Sequence, residues 1–438
     1  MLTVTTVLIW LIALLPLVVA IPGLAAAQWD SPYLVLTALG RLTGVAGLSF
    51  LLVAAALSSR VPGFDRCCGG LTKLWKTHHY LGAVAFLLLL AHPLLLALSR
   101  AGDLAGSVAV LFPATDAWAI WLGWGGLLLM MIFLAPSFAF FGQPDYSCWK
   151  RVHALAAPAI ALALAHSFAL DRAIAHPWDY LVWGMLALLA ILALLYRWLF
   201  SRAYLPGLGG RLPYQVTRVE PVSQSVVEIS LQPMIRDLTY DAGQFVYFTP
   251  LDPTLGAGYR EEHPYTLSSS PREPGLRVTI KDLGDASRAL QHIRPTSEVR
   301  IEGPYGAFFA PLHAANKELW IAGGIGITPF LSRARLMRET ACSARVCLIF
   351  CVQDEARTLF LNELNAIADA LPGFDFHMHY FYREGPLDRP FIEQRCDQVA
   401  LREIYICGPA PLQALASGLV HKAGAPSKRI HTEEFDLL

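Results

Sequence analysis

No glutamate occurs before Glu220, and the first 200 residues carry only 10 Lys/Arg and 7 Asp. The remaining 51 formal charges of this 438-residue chain lie in residues 201–438. So uneven a distribution predicts a lipid-adapted first half and a second half of ordinary soluble composition. Net charge is zero, with 34 basic and 34 acidic residues, which removes the electrostatic case for nucleic-acid binding. Eight cysteines are too few for a disulfide scaffold. No C-x-x-C pair occurs, so the thiols read as reduced and without a structural metal.

Six apolar stretches fit the roughly 20 residues that cross a hydrocarbon core: Leu2–Ile21, Leu34–Leu57, His78–Leu98, Trp118–Leu134, Val152–Leu170 and Tyr180–Phe200. No Lys or Arg precedes the first, which reads as a retained helix rather than a signal peptide. The loop between stretches two and three holds Arg60, Arg66, Lys73 and Lys76, and that between four and five holds Lys150 and Arg151. The exit from stretch six adds Arg197, Arg202 and Arg211, whereas the opposite side has only Arg100 and Arg172. The positive-inside rule then predicts a multi-pass inner- or plasma-membrane protein, with both termini and the soluble half cytoplasmic.

Histidines inside apolar stretches are costly and functional by default. His78 and His92 are about 21 Å apart along a helix axis and only about 40° apart around it, so they share a face. His153 and His166 are about 19.5 Å apart but about 140° apart on an ideal helix. Sharing a face requires a distortion, and Pro158 between them can supply it. Two helices with imidazoles at two matched depths can ligate two stacked b-type haems, His78 with His153 and His92 with His166. Filled axial positions favour electron transfer over oxygen binding at iron. His79 is the alternative inner ligand, although it points about 100° away from His78. Arg41, toward the outer end of stretch two, reads either as a propionate partner or as a snorkelling side chain.

In the soluble half, residues 212–312 read as short strands of a small antiparallel barrel. From residue 315 onward, strands alternate with helices, as in a parallel nucleotide-binding sheet. The turn Gly323-Gly324-Ile325-Gly326-Ile327-Thr328-Pro329 lets backbone N–H groups approach a pyrophosphate at a helix start. Four segments sharpen this: His263-Pro264-Tyr265-Thr266, Lys281-Asp282-Leu283-Gly284-Asp285-Ala286-Ser287, Glu302-Gly303-Pro304-Tyr305-Gly306 and Cys407-Gly408-Pro409.

In that order of motifs the chain resembles the ferric reductase and NADPH oxidase superfamily of transmembrane flavocytochromes b, with a ferredoxin-reductase-type flavin and nicotinamide module. The resemblance implies a multidomain fold: an all-α six-helix transmembrane haem domain (1–205), an antiparallel β-barrel FAD domain (212–312) and an α/β NAD(P) domain (315–438). It further implies that His263, Pro264, Tyr265 and Thr266 bind the flavin and that Lys281, Gly284 and Ser287 hold the FAD pyrophosphate. Gly323, Gly324, Gly326, Thr328 and Pro329 would receive the nicotinamide nucleotide. Cys407, Gly408 and Pro409 would lie beside the nicotinamide, and Phe435, after Glu434, would shield the flavin. The implied activity passes electrons from cytoplasmic NADPH, with NADH as the alternative, through FAD and two haems. The acceptor at the outer face would be oxygen, giving superoxide, or a ferric chelate. Arg41 would steer a product or hold a propionate there. The competing readings are a cytoplasmic flavin reductase on a membrane anchor, or an electron donor to a quinone or periplasmic protein.

Overall fold

The computed structural model describes residues 4–25, 31–60, 65, 70–137, 146–170, 177–200, 211–309, 317–340, 342 and 344–433. It divides into two compact units, one of residues 1–60 and 73–199, the other of 61–72 and 200–438.

The first unit is helical: α1 (Val4–Ala25), α2 (Pro32–Leu57), α3 (Leu71–Ser99), the short α4 (Leu104–Leu111), α5 (Trp118–Leu134), α6 (Tyr146–His153), α7 (Ala156–Leu170) and α8 (Pro177–Phe200). Ser31 caps α2, its side chain accepting from Leu34 N at 3.3 Å, and Pro32 opens the first turn where no N–H is needed. Four apolar helical runs among the described residues are long enough to cross a bilayer: 32–57, 71–99, 118–137 and 148–170. Two shorter apolar runs cover 7–20 and 181–196.

Without a hydrophobic force between helices in lipid, close approach depends on small residues. A Cβ on Gly47 of α2 would come within 2.6 Å of Leu89 on α3, and one on Gly126 of α5 within 3.2 Å of the Ala159 carbonyl on α7. The distortion expected from Pro158 is present. Ala154 and Leu155 form a turn that separates α6 from α7. Proline has no N–H and its ring clashes with the carbonyl four residues back, here Ala154, so the helix breaks at that residue.

The second unit begins with a curled antiparallel sheet: β1 (Arg211–Ser223), β2 (Val226–Pro233), β3 (Phe245–Pro250), β4 (His263–Thr266), β5 (Leu276–Lys281) and β6 (Glu298–Tyr305). Its order is β4-β3-β6-β1-β2-β5, and a bridge between Leu267 and Val278 links the two ends. Alternate residues point inward, among them Tyr214, Val216, Ile229, Leu231, Val246 and Phe248, and make one core.

A five-stranded parallel sheet follows: β7 (Lys317–Gly323), β8 (Arg345–Val352), β9 (Phe374–Tyr380), β10 (Glu403–Cys407) and β11 (Ile430–Glu433), in the order β11-β10-β7-β8-β9. Leu319, Ile321, Ile349 and Ile404 pack on one face; Trp320, Leu348, Phe350 and Tyr405 pack on the other. A sheet buried on both faces needs helices on both sides, which explains the continuous apolar runs of β7 and β8. The direction of winding reverses between β7 and β10, and the crevice at such a switch point is where open α/β sheets bind ligands.

A buried charge network joins the barrel to the nucleotide-binding sheet. Arg335, on α10 (Thr328–Thr340), is 1% exposed and makes a two-pronged contact with Glu363, at 2.7 Å for each prong. It also donates to Glu228 of β2 at 3.0 Å and to the Ser268 carbonyl at 2.7 Å. Ser332 adds a bond to the Ser269 carbonyl at 2.6 Å. The bidentate fork explains why arginine occupies this position.

Candidate functional site

In the helical unit, the structure brings the four expected histidines together in two pairs. The ring centres of His78 and His153 are 6.3 Å apart, and those of His92 and His166 are also 6.3 Å apart. Metal–imidazole bonds are about 2 Å long. With each ring centre roughly 1.1 Å behind its nitrogen, two imidazoles on opposite sides of one metal have centres about 6 to 6.5 Å apart. Both pairs meet that spacing.

Ring orientation is set by backbone carbonyls. His78 Nδ1 donates to the Ala54 carbonyl at 2.8 Å, His92 Nδ1 to Gly40 at 2.7 Å, and His166 Nδ1 to Ala119 at 2.7 Å. A proton held on Nδ1 leaves the Nε2 lone pair as the ligating atom. His153 is positioned differently, stacked on Trp149 at 4.9 Å and edge-on to Phe133 at 5.2 Å.

Two glycines that the sequence reading did not single out make room for the rings. A Cβ on Gly44 would be 2.7 Å from His92 Nδ1, and one on Gly123 would be 2.7 Å from His166 Nδ1. The signal was available in the small-residue spacing Gly40-x-x-x-Gly44. His79 is exposed, its ring centre 6.0 Å from that of His78. Arg41 is exposed on α2, next to the glycine whose carbonyl holds His92.

In the second unit, Lys281, Gly323, Gly324 and Pro409 line one cavity of about 480 Å³. It lies at the switch point, between the hairpin that joins β1 to β2 and the C-terminal ends of β7, β8 and β9. Gly324 has φ +54° with open space around it, a conformation suited to glycine. Gly326 and Gly408 serve a different need. A Cβ on Gly326 would lie 2.4 Å from the Cys407 carbonyl, and one on Gly408 would lie 2.9 Å from Gly323 Cα. These two glycines let the ends of β7 and β10 touch. Thr328 and Pro329 are buried at the start of α10, where Thr328 Oγ1 donates to the Ile325 carbonyl at 3.1 Å.

The remaining expected residues lie elsewhere. His263, Pro264, Tyr265 and Thr266 form β4, paired with β3, and do not line that cavity. Tyr265 packs edge-on to Phe248 at 6.0 Å, and burial pushes its phenol pKa up. His263 Nε2 is 3.3 Å from Glu261. Gly284 precedes α9 (Asp285–Leu290). Ser287 Oγ accepts from Leu283 N at 2.8 Å and from Gly284 N at 3.0 Å, so it shapes the loop directly. Cys407 is fully buried at the end of β10 and absent from the cavity wall, and burial holds its thiol pKa well above the usual value. The residue packs closely beneath the crevice, its carbonyl against Gly326. Phe435 and Glu434 lie outside the described residues.

The sequence reading also missed Glu433. It pairs in register with Cys407 and its carboxyl lies in the same buried patch. Burial raises the Glu433 pKa to about 8. A further carboxylate, Asp65 of segment 61–72, is 2% exposed and accepts from Gly306 N at 2.8 Å.

Three family models match in tandem: a "Ferric reductase like transmembrane component" over residues 43–164, an "FAD-binding domain" over 211–308 and an "Oxidoreductase NAD-binding domain" over 320–417. This is the architecture of the ferric reductase and NADPH oxidase type. This chain is also similar to the glycine betaine monooxygenase reductase subunit of Pseudomonas aeruginosa, 30% identical over 185 residues, which cover 39% of this chain and 50% of the relative. The flavohemoprotein of Rhizobium meliloti is 26% identical over 255 residues, covering 52% of this chain and 61% of the relative. The chain thus spans about half to three-fifths of the length of these curated relatives. Among solved structures, the flavohemoglobin of Malassezia yamatoensis aligns with TM-score 0.50 and 17% identity over 94% of this chain and 100% of that one, a likeness of fold. The chain is accordingly a membrane protein carrying an FAD-binding and an NAD-binding domain.

Proposed function

We propose that this protein is a six-span transmembrane oxidoreductase that carries electrons from cytoplasmic NAD(P)H, by way of FAD and two b-type haems, to an acceptor at the outer face. The observation that carries the reading is the pair of 6.3 Å imidazole spacings on a chain that also has a flavin and nicotinamide module. When bound, FAD supplies the conversion of a two-electron donor to single electrons, and bis-imidazole haems supply a one-electron relay.

The chain's own residues position these groups. His78 with His153, and His92 with His166, would hold the two irons, and the Ala54, Gly40 and Ala119 carbonyls fix three of the rings in the ligating tautomer. Gly44 and Gly123 leave the volume that the rings occupy. Tyr265 and Thr266 would line the flavin, with Lys281 and the loop shaped by Ser287 near its pyrophosphate. Gly323, Gly324 and Pro409 would receive the nicotinamide nucleotide in the cavity they line. Arg41 would meet a propionate or a negative product.

Full-length protein purified in detergent from haem-replete cells should show a Soret band and flavin absorbance. Anaerobic reduced nicotinamide should reduce both. Superoxide release and ferric-chelate reduction, measured side by side, identify the acceptor. Flavin absorbance without a Soret band would replace this reading with a membrane-anchored flavin reductase. Haem reduction with neither product would point to a quinone or a periplasmic protein.

A further inference from the structure

The choice between the two nicotinamide dinucleotides lies in the charges at the ends of β8 and β9. Strand β8 runs out through Gln353 into Asp354-Glu355-Ala356-Arg357. Gln353 and Arg357 line the cavity, as does Tyr382 just past β9. The basic side chains here, which a 2′-phosphate would need, are already engaged. Arg357 is ion-paired with Asp354, whose Oδ1 also accepts from the Arg357 N–H at 3.2 Å. Arg383 donates to Glu355 at 3.1 Å and to Glu384 at 2.9 Å.

Two guanidiniums thus face three carboxylates. Each exposed pair is weak taken singly, so the argument rests on their sum, a local charge of −1 before any ligand arrives. A phosphate monoester brings about −1.5 to −2 more. A free ribose hydroxyl brings none, and it can donate to a carboxylate or exchange hydrogen bonds with the Gln353 amide. Lys281, also in the cavity wall, belongs to the barrel strand β5 rather than to this cluster.

We propose that this pocket selects NADH over NADPH, with Gln353, Asp354 and Glu355 setting the choice. The proposal rests on the reading of the cavity as the reduced-nicotinamide site.

The test uses the full-length protein in detergent. 5′-AMP and 2′,5′-ADP, the adenosine halves of the two dinucleotides, are titrated calorimetrically. Anaerobic flavin bleaching gives kcat/KM for NADH and NADPH. 5′-AMP should bind at least about tenfold tighter than 2′,5′-ADP, and NADH should be favoured by a similar factor. The double variant Gln353→Arg with Asp354→Ser should move both ratios at least about tenfold toward the 2′-phosphate. Equal or tighter binding of 2′,5′-ADP by the unaltered protein overturns the proposal, and loss of that binding in Lys281→Ala would name the clamp instead. Flavin bleached faster by NADPH leaves the reductase reading intact while ending this one. Bleaching by neither dinucleotide, with neither nucleotide bound, ends both.

Discussion

The helical unit and the nucleotide-binding sheet hold their functional groups in opposite ways. In the helices, the proposed site consists of four imidazoles placed by helix phase, three of them aimed by a neighbouring carbonyl. In the sheet, backbone matters: glycine turns at the ends of β7 and β10, packed too closely to admit a Cβ. Lipid demands that every polar atom be satisfied locally, so a helix can offer only side chains to a ligand. The crevice of an open sheet offers free N–H groups instead. A site of discrete side chains therefore fails all at once, whereas a site of backbone and summed charge shifts by degrees.

The sharpest break in that comparison is His166→Ala. Removing one imidazole of the outer pair should abolish its haem signal and reduction of an external acceptor, while flavin bleaching by reduced nicotinamide persists. Retention of both haem signals in the reduced spectrum would sink the pairing. Next comes Arg335→Ala, which leaves Glu228 and Glu363 without their shared partner. It should cost about 1.5–3 kcal/mol in chemical denaturation of the second unit, the loss of hydrogen bonds to charged groups, since Glu228 keeps Arg277 at 3.4 Å and the Ser268 hydroxyl at 2.8 Å and Glu363 is partly exposed. A loss below about 1 kcal/mol would show the network to be solvated.

Smaller still is Gly44→Ala. The added methyl lies 2.7 Å from His92 Nδ1 and must displace the ring from the Gly40 carbonyl. Haem retention at the outer pair should weaken about 10- to 100-fold, read by transfer to apomyoglobin, with the inner pair unaffected. The effect at Glu433 is set by pH. Its pKa in the fold is about 8, above the unfolded value of about 4.3. The folded state therefore prefers the protonated form. The contribution is complete below about pH 4.3 and is lost as pH rises through 8. Glu433→Gln should raise the melting temperature relative to the unaltered protein by an amount that grows from pH 5 to pH 8. A difference that stays constant across that range would show the carboxyl to be solvated.

Legibility in the sequence followed the strength of the local signal. Strands β7 and β8 stand out as apolar runs because both faces of the sheet are covered. Strand β9, Phe374-Asp375-Phe376-His377-Met378-His379-Tyr380, alternates with His and Asp, and β11 is the four-residue edge strand Ile430-His431-Thr432-Glu433. Neither reads as a buried strand from composition, and β9 carries Tyr382 just beyond its end. Glu433 was overlooked for the same reason, because its significance comes from a register with Cys407 that only strand pairing creates.

Alone, the sequence determined the number and spacing of the histidines, the division into lipid-adapted and soluble halves, and the order of the nucleotide-binding motifs. Those properties are carried by periodicity and composition, which are local. The tertiary structure decided that His153 and His166 meet partners at equal spacing, because the turn at Ala154 and Leu155 resets a helix phase that an ideal helix would have left wrong. It also decided that Arg357 and Arg383 are committed to carboxylates. Distance between side chains far apart in sequence is a property of packing, and no window along the chain contains it.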